Sequence, residues 1–324
     1  MQGNNSNIIR RAFEGRLDYW KEVPCFNSSF HFKWQPFSKG IYFDQLSISQ
    51  RQMVNHFECH EEITTKNLLF KNLLEYTEKS KLNIYDYVPL TFILNLKSET
   101  ETVDYEKFVS CYNILAADSQ SLDFKQMNKK LQSINLSQSR KMYTMCKLKL
   151  KETHYIGRNL WILKPTGLNR GRGVSVFDTL DKFKALLKEY SEGVIEEDIP
   201  KIVSTNVDAG MSNLGNLPCI IKANSFVIQK YLERPMLIHN RKFDIRCWVL
   251  LTEDMKLYFF KEGYIRTSAS EYTIDQSSVE KKNVHLTNNA IQKSCPDYGK
   301  FEDGNQLSFP MFQVPSPIFL GISR

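Results

Sequence analysis

The fold of this chain is decided by the stretch WILKPTGLNRGRGVSVF (161–177). Its first residues are typical of a buried strand, which delivers Lys164 to a polar loop. The loop contains three glycines and two arginines, namely Gly167, Gly171, Gly173, Arg170 and Arg172. Glycines let backbone N–H groups approach phosphate oxygens, and arginines add positive charge. The stretch therefore predicts a phosphate-binding loop, with a plain glycine-rich hairpin as the alternative.

Three further motifs follow in order, and each carries polar residues on or after a strand. They are FVIQKYLERPML (226–237), RKFDIRCWVLLT (241–252) and HLTNNAIQK (285–293). In the first, Gln229 and Lys230 interrupt an apolar strand, which suits a hinge that reads an adenine edge. In the second, strand periodicity places Lys242, Asp244 and Arg246 on one face. Because unpaired buried charge is costly, these three meet either a ligand or one another in a salt-bridge ladder.

Two other classes of phosphate-binding enzyme are excluded by the sequence. A protein kinase needs a catalytic H-R-D loop and a D-F-G sequence, and neither occurs in the chain. The P-loop pattern G-x-x-x-x-G-K-[ST] is absent as well. The motifs therefore indicate a nucleotide enzyme of another class.

Composition predicts a folded, cytoplasmic protein. Of its 324 residues, 42% are hydrophobic and 12% aromatic, enough for one large core or a few smaller ones. The opening residues MQGNNSNIIRR are polar, and no run approaches the roughly 18 apolar residues that span a bilayer. The seven cysteines lack a C-x-x-C pair, which argues against a disulfide framework and a zinc ribbon.

The charge of the chain favours acidic partners. The net charge of +7 attracts polyanions without selecting among them. Much of the excess lies between Lys125 and Lys151, where eight basic residues occur without an acidic one. We expect this basic segment to attract an acidic polymer, with a solvated surface insertion as the alternative.

The order of local signals predicts an α+β protein. Strands are predicted at 30–34, 41–46 and 85–94, besides those of the motifs, and helices at 66–79 and 177–193. Pro89 demotes the third strand to a sheet edge. Asp178 or Thr179 caps the start of the second helix, and Gly193 caps its end.

In order and spacing, the motifs resemble the tubulin–tyrosine ligase-like family, amino-acid ligases of the ATP-grasp superfamily. The resemblance extends to VNHFECHEEITTKNLLFKNL (54–73) and YVPLTFIL (87–94), which are similar to the family's N-terminal segments. It covers about residues 30–313. It implies an ATP-grasp fold, in which two α+β subdomains grip ATP.

Local signals divide the chain into three regions, which the resemblance identifies with the parts of the family's fold. Residues 1–85 are expected to form a small α/β lead-in domain. Residues 86–234 are expected to form the central ATP-grasp subdomain, with an unmatched basic insertion at about 97–155. Residues 235–324 are expected to form the C-terminal ATP-grasp subdomain, which is incomplete.

The implied activity joins an amino acid, glutamate or glycine, to a carboxylate of a tubulin C-terminal tail. ATP would convert the carboxylate to an acyl phosphate, which the amine attacks, while cationic side chains and Mg²⁺ neutralise the transferring phosphoryl group. The implied partners are microtubules and a free amino acid, with neither nucleic acid nor membrane. The implied locations are the cytoskeleton and the cilium or basal body. The choices between glutamate and glycine and between α- and β-tubulin stay open.

Site residues are carried over from the family position by position. The implied nucleotide-binding residues are Lys164, Arg170, Gly171, Gln229, Lys230, Tyr231, Leu232, Lys242, Phe243 and Asp244. The residues implied around the acyl phosphate and the incoming amino acid are Arg246, Arg266, Thr287, Asn288 and Lys293. In this scheme Lys164 and Lys242 hold phosphates, and Asp244 lies near the ribose.

Magnesium is where the sequence departs from the family. The family holds Mg²⁺ with an Asp and a later Glu-x-Asn on C-terminal strands, but the last acidic residue here is Asp303. No metal ligand is therefore assigned, and the chain is expected to stop inside the catalytic domain. Two functions stay open. One is an ATP-dependent tubulin ligase, and the other is an inactive relative that binds ATP or microtubules.

Overall fold

The structure is a computed structural model. It describes residues 6–24, 29–97, 101–117, 124–133, 150–154, 157–195 and 220–313. The chain divides into two compact units, Met1–Thr64 and Thr65–Arg324. Among the described helices, none has the length and apolar character needed to cross a membrane. The domain boundaries expected at residues 85 and 234 stay predictions.

The smaller unit combines short helices with one pair of short parallel strands in its described part. Its elements are α1 (Ser6–Glu14), β1 (Phe32–Lys33), β2 (Met53–Val54) and α2 (Glu61–Thr64). The strand predicted at 30–34 is confirmed in its centre. The strand predicted at 41–46 is wrong, because Phe43–Gln45 forms a 3-10 turn. The N–H groups of Gln45 and Leu46 bond back to carbonyls of the same segment, so no neighbouring strand is needed.

The larger unit contains all four motifs. Its elements in chain order are α3 (Lys66–Lys79), β3 (Thr91–Asn95), α4 (Glu101–Ala117), α5 (Phe124–Ser133), β4 (Trp161–Pro165), β5 (Ser175–Phe177), α6 (Leu180–Glu192), β6 (Val194–Ile195), β7 (Ile220–Ile221), β8 (Ser225–Lys230), β9 (Leu237–Ile238), β10 (Arg241–Arg246), β11 (Val249–Leu251), β12 (Leu257–Phe259), β13 (Tyr264–Glu271), α7 (Lys282–His285), α8 (Asn289–Gln292), β14 (Gln306–Ser308) and α9 (Phe309–Gln313). Helices and antiparallel strands are mixed, which confirms the α+β class.

The first sheet of this unit has the antiparallel order β3-β8-β4-β5. Its core is aromatic. The ring of Phe108, from α4, lies 5.0 Å from that of Trp161 and 4.8 Å from that of Phe183, between centroids. Edge-to-face pairs of this kind stabilise a core beyond the area that they bury. The packing fixes the strands that carry Lys164 and Gln229 as direct neighbours.

Most local signals around this sheet agree with the sequence. Helix α3 occupies the predicted residues, and β3 lies at the sheet edge, as Pro89 indicates. The strand predicted at 85–94 is wrong at its start, because Ile84–Asp86 forms a 3-10 turn and β3 begins at Thr91. Thr179, rather than Asp178, caps α6, because its Oγ1 accepts a hydrogen bond of 3.2 Å from the backbone N–H of Lys182. Gly193 ends α6 at a φ of 113°, where other residues are strained. Residues 134–149, which hold much of the basic insertion, lie outside the described residues.

The second sheet has the antiparallel order β14-β13-β10-β9. The register between β10 and β13 places Asp244 opposite Arg266. Arg241, at the start of β10, is buried and pairs with Glu302, with 2.9 Å between Nη1 and Oε2. A small core joins this sheet's loops to the first sheet. It consists of Leu160, Ile162, Val174, Tyr231 and Val279.

Candidate active site

Lys164 is the first cation of the site. Its Nζ donates to Oε1 of Gln229 at 2.7 Å, and Nε2 of Gln229 donates to Oγ1 of Thr91 at 2.9 Å. Burial, assisted by the charge of Lys66, lowers the pKa of Lys164 to about 8. The hydrogen-bond partner of Lys164 in the described structure is a neutral amide and not a carboxylate. A buried cation without a counter-ion favours an incoming anion.

Lys66 is a second cation, which sequence reasoning missed. It begins α3, and its Nζ donates to the carbonyl oxygens of Pro165, at 3.0 Å, and Leu168. Burial lowers the pKa of Lys66. The contact joins α3 to the first turn of the glycine-rich loop. The lysine stands in the segment 54–73, but its separation of 99 residues from Pro165 hides this contact from sequence reasoning.

Lys242 brings a third cation from the second sheet. Its Nζ donates to the hydroxyl of Tyr231 at 2.9 Å and to the carbonyl of His285 at 3.0 Å. The same Nζ lies 4.5 Å from the centroid of the Tyr231 ring. Burial, followed by the charge of Lys164, lowers the pKa of Lys242 to about 8. The two predicted phosphate lysines therefore lie on different sheets, and each is bonded to neutral oxygens.

Tyr231 links the hinge to the HLTNN motif. Its hydroxyl bonds Nδ1 of His285 at 2.8 Å, and Nε2 of His285 lies 2.9 Å from the carbonyl oxygen of Ser278. A carbonyl only accepts, so Nε2 donates and Nδ1 accepts the proton of Tyr231. Burial raises the pKa of Tyr231 and lowers the pKa of His285, which keeps both groups neutral near pH 7. The hydroxyl oxygen of Tyr231 is then available to accept from Lys242.

Asp244 organises the residues expected around the acyl phosphate. Arg266 donates to both of its oxygens, with 2.7 Å between Nε and Oδ1, and Thr287 donates to Oδ2 at 2.9 Å. Asp244 thus forms its salt bridge with Arg266 on the facing strand, and not with its strand neighbours in the ladder considered from the sequence. Lys242 points instead to Tyr231, and Arg246 is exposed at the end of β10. The expected ribose contact of Asp244 stays a prediction.

The glycine-rich loop reaches the HLTNN motif at Gly171. This residue has a φ of 81°, and an added Cβ would lie 2.9 Å from Oδ1 of Asn288 and 2.5 Å from Cδ1 of Ile291. Only glycine fits that approach without displacement. Arg170, on the same loop, is exposed with a φ of 60°. The structure thus brings the predicted phosphate loop beside Asn288.

The remaining predicted residues have other surroundings in the described structure. Leu232 is exposed within the hinge, and Lys293 is exposed just after α8. Phe243 packs on Phe312, with 5.8 Å between ring centroids. Lys230 is only 2% exposed, and its Nζ pairs with Glu233 at 2.8 Å. Its side chain therefore belongs to the interior of the sheet.

The described side chains fit phosphate but not magnesium. The described ranges contain no cluster of three or more His, Cys, Asp or Glu side chains that could hold a metal ion. The carboxylate of Asp244 is held by Arg266 and Thr287, and that of Glu302 by Arg241. Buried ammonium groups with neutral partners, in contrast, match the phosphates of ATP. None of the described residues is therefore assigned to the metal.

Sequence comparisons identify the family of this chain. A family model described as the tubulin-tyrosine ligase family matches residues 45–316. The chain belongs to this family. The resemblance inferred from the motifs is thereby confirmed.

Three curated proteins are similar to parts of the chain. Tubulin glycylase 3B of Tetrahymena thermophila is 32% identical over 186 residues, which are 54% of this chain and 13% of that protein. Tubulin monoglycylase TTLL3 of Homo sapiens is 33% identical over 163 residues, 48% of this chain and 17% of that protein. Its namesake in Danio rerio is 35% identical over 140 residues, 42% of this chain and 14% of that protein. The chain thus matches less than a fifth of each relative's length.

Proposed function

We propose that this chain ligates glycine to carboxylates of tubulin C-terminal tails at the expense of ATP. The observation that carries the proposal is a pair of ammonium groups, Lys164 on the first sheet and Lys242 on the second, that are bonded to neutral oxygens in a chain of the tubulin-tyrosine ligase family. Sequence reasoning left glutamate and glycine open. The three relatives are named as tubulin glycylases or monoglycylases, which favours glycine.

The phosphates of ATP would be held by Lys164 and Lys242, with Lys66 supporting the loop between them. Each of the two phosphate lysines is now hydrogen-bonded only to neutral oxygens among the described residues. Exchanging such a partner for a phosphate oxygen replaces a neutral hydrogen bond with a stronger charge-assisted one. ATP supplies the phosphoryl group that activates the acceptor carboxylate as an acyl phosphate.

The acceptor and the amino acid would meet the cationic side of the same site. Arg266 and Thr287 are held by Asp244, and Asn288 lies against the loop at Gly171. Arg246 adds a cation that is exposed to solvent. Fixed donors of this kind stabilise developing negative charge without reorganising during the reaction.

The basic segment would supply long-range attraction for the acidic tails. Within its described part, Lys129 and Lys130 are exposed on α5, and Lys151 is exposed beside Asp86, with 3.5 Å between charged atoms. Attraction between such surfaces is screened over about 10 Å at 0.1 M salt. Attachment to microtubules should therefore weaken steeply as salt is added.

Release of ADP by the purified 324-residue chain tests the proposal. We expect release in the presence of ATP, Mg²⁺, glycine and tubulin, and none when tubulin lacks its C-terminal tails. Glutamate in place of glycine should support much slower release. Equal release with glutamate would contradict the choice of glycine. Tight ATP binding without release under any of these conditions would favour the inactive relative.

A further inference from the structure

The carboxylate of Glu233 lies at the end of the hinge and is completely buried. It accepts three hydrogen bonds from the interior of the sheet. Oε1 accepts from Nζ of Lys230 at 2.8 Å and from the backbone N–H of Leu160 at 2.7 Å, and Oε2 accepts from the backbone N–H of Arg158 at 2.5 Å. A buried carboxylate is stable only when it is paired and hydrogen-bonded in this way.

The backbone around this carboxylate is shaped to admit it. Gly157 has a φ of 122°, and an added Cβ would lie 2.0 Å from Oε2 of Glu233. Lys230 completes the arrangement from the other side, because its Nζ also donates to the carbonyl of Leu160 at 2.9 Å. The cation thus has two buried acceptors, neither of which is part of the phosphate network.

The pair connects the elements that must be aligned to hold a nucleotide. The segment 158–160 leads into β4, which carries Lys164, and Lys230 ends β8 at the start of the hinge. Backbone bonds run in parallel, from Lys230 N–H to Leu90 at 2.7 Å and from Tyr231 N–H to Leu160 at 3.1 Å. The carbonyl of Glu233 also accepts from Tyr272, next to β13, at 3.0 Å. Glu233 therefore holds the hinge to the segment before β4 through its side chain, and to Tyr272 after β13 through its backbone carbonyl.

We propose that Lys230 and Glu233 are positioning residues for the nucleotide hinge, and that Lys230 acts through Glu233 without touching the nucleotide. The nucleotide part of this inference rests on the proposed function. The competing role for Lys230 is a direct contact with the phosphates of ATP. The two roles predict different losses of affinity when Lys230 is replaced. A direct phosphate contact makes the loss depend on the number of phosphates, whereas a positioning role makes it depend on Glu233.

Calorimetric titration of ATP, ADP and AMP separates the two roles. A displaced hinge weakens the binding of all three nucleotides alike. Lys230→Met and Glu233→Gln should therefore each lower the three affinities by a common factor of about ten. The double variant should lose little more nucleotide affinity than the single variant that binds less tightly, because the two residues act as a unit. A loss for Lys230→Met that grows from AMP to ATP, and that adds to the loss for Glu233→Gln, would overturn the proposal.

Hydrogen exchange without nucleotide tests the positioning role independently of the proposed function. In the Glu233→Gln variant, the amides of Leu160 and Tyr231 should exchange at least about tenfold faster than in the wild type. This variant keeps the shape of the side chain, so it still tests the proposal if Lys230→Met fails to fold. The matched control is Glu302→Gln, which removes a half-buried carboxylate that pairs with Arg241 of the second sheet and should leave these amides unchanged.

The two measurements can fail separately. If the wild-type chain binds none of the nucleotides, the proposed function is contradicted, while the exchange rates still decide whether the pair positions the hinge. Unchanged exchange in Glu233→Gln would overturn the positioning role even if ATP binds tightly. Faster exchange in both Glu233→Gln and Glu302→Gln would mean general loosening and would also overturn it.

Discussion

Replacing Lys164 by methionine should raise stability and weaken ATP binding at the same time. The folded state holds this ammonium partly buried, with Gln229 as its hydrogen-bond partner. Burial and the charge of Lys66 lower the pKa of Lys164 from 10.5 to about 8. A side chain kept for ligand binding at the expense of folding is expected to show this opposition.

The magnitude follows from the pKa. One unit of pKa corresponds to about 1.4 kcal/mol, so keeping Lys164 charged at pH 7 costs the folded state about 3 kcal/mol. Methionine removes this cost and loses one hydrogen bond, worth about 1 kcal/mol. We expect the free energy of unfolding to rise by about 2 kcal/mol. Loss of a charge-assisted phosphate contact should weaken ATP binding roughly ten- to a hundredfold.

Urea unfolding and ATP calorimetry on the same variant check both signs. Between pH 8 and 10.5 the unfolded chain binds a proton that folded Lys164 releases, so wild-type stability rises with pH in this window. The stability of the Lys164→Met variant should rise less over the same pH window. Lys79→Met, which removes an exposed ion pair with Glu75, is the control and should change neither quantity appreciably. A Lys164→Met variant that is less stable and binds ATP as well as wild type would refute the reasoning.

Three further predictions concern the loop, the acyl-phosphate side and a buried histidine. Gly171→Ala should lower ATP affinity, measured by calorimetry, because its Cβ would overlap the neighbouring side chains. Gly167→Ala has open space around it and should leave the melting temperature, measured by thermal unfolding, unchanged. Thr287→Val should cost about 1 kcal/mol in urea unfolding through the lost bond to Asp244, and unchanged stability would contradict that contact. Burial lowers the pKa of His154 from 6.5 to about 4, so stability should fall by up to about 3 kcal/mol as pH drops through this window; a fall of equal size in His154→Gln would disprove this origin.

Much of the larger unit could be predicted because its signals are local. Helix α3 repeats leucines and aromatics at helical spacing, and β10 alternates charged and apolar residues. Lys164 and Lys242 were expected at one site, and each is bonded to neutral oxygens in the described structure. The strand predicted at 41–46 failed, because aromatic alternation describes one strand and says nothing about a partner.

Contacts between distant segments could not be predicted from one sequence. The pairing of Asp244 with Arg266 depends on the register between β10 and β13, which no local pattern specifies. The contact of Lys66 with the glycine-rich loop depends on the tertiary position of α3. The motif containing Lys230 indicates a polar break in a strand, but its burial with Glu233 depends on the tertiary fold.

Transfer of labelled glycine to tubulin tests the central claim most directly. The chain would be incubated with tubulin, ATP, Mg²⁺ and labelled glycine, and the C-terminal peptides of tubulin would then be isolated and counted. The account predicts ATP-dependent label in these peptides with the wild-type chain, and none with the variant Lys164→Met/Lys242→Met. Label that is absent with the wild-type chain, or equal with both proteins, would contradict it.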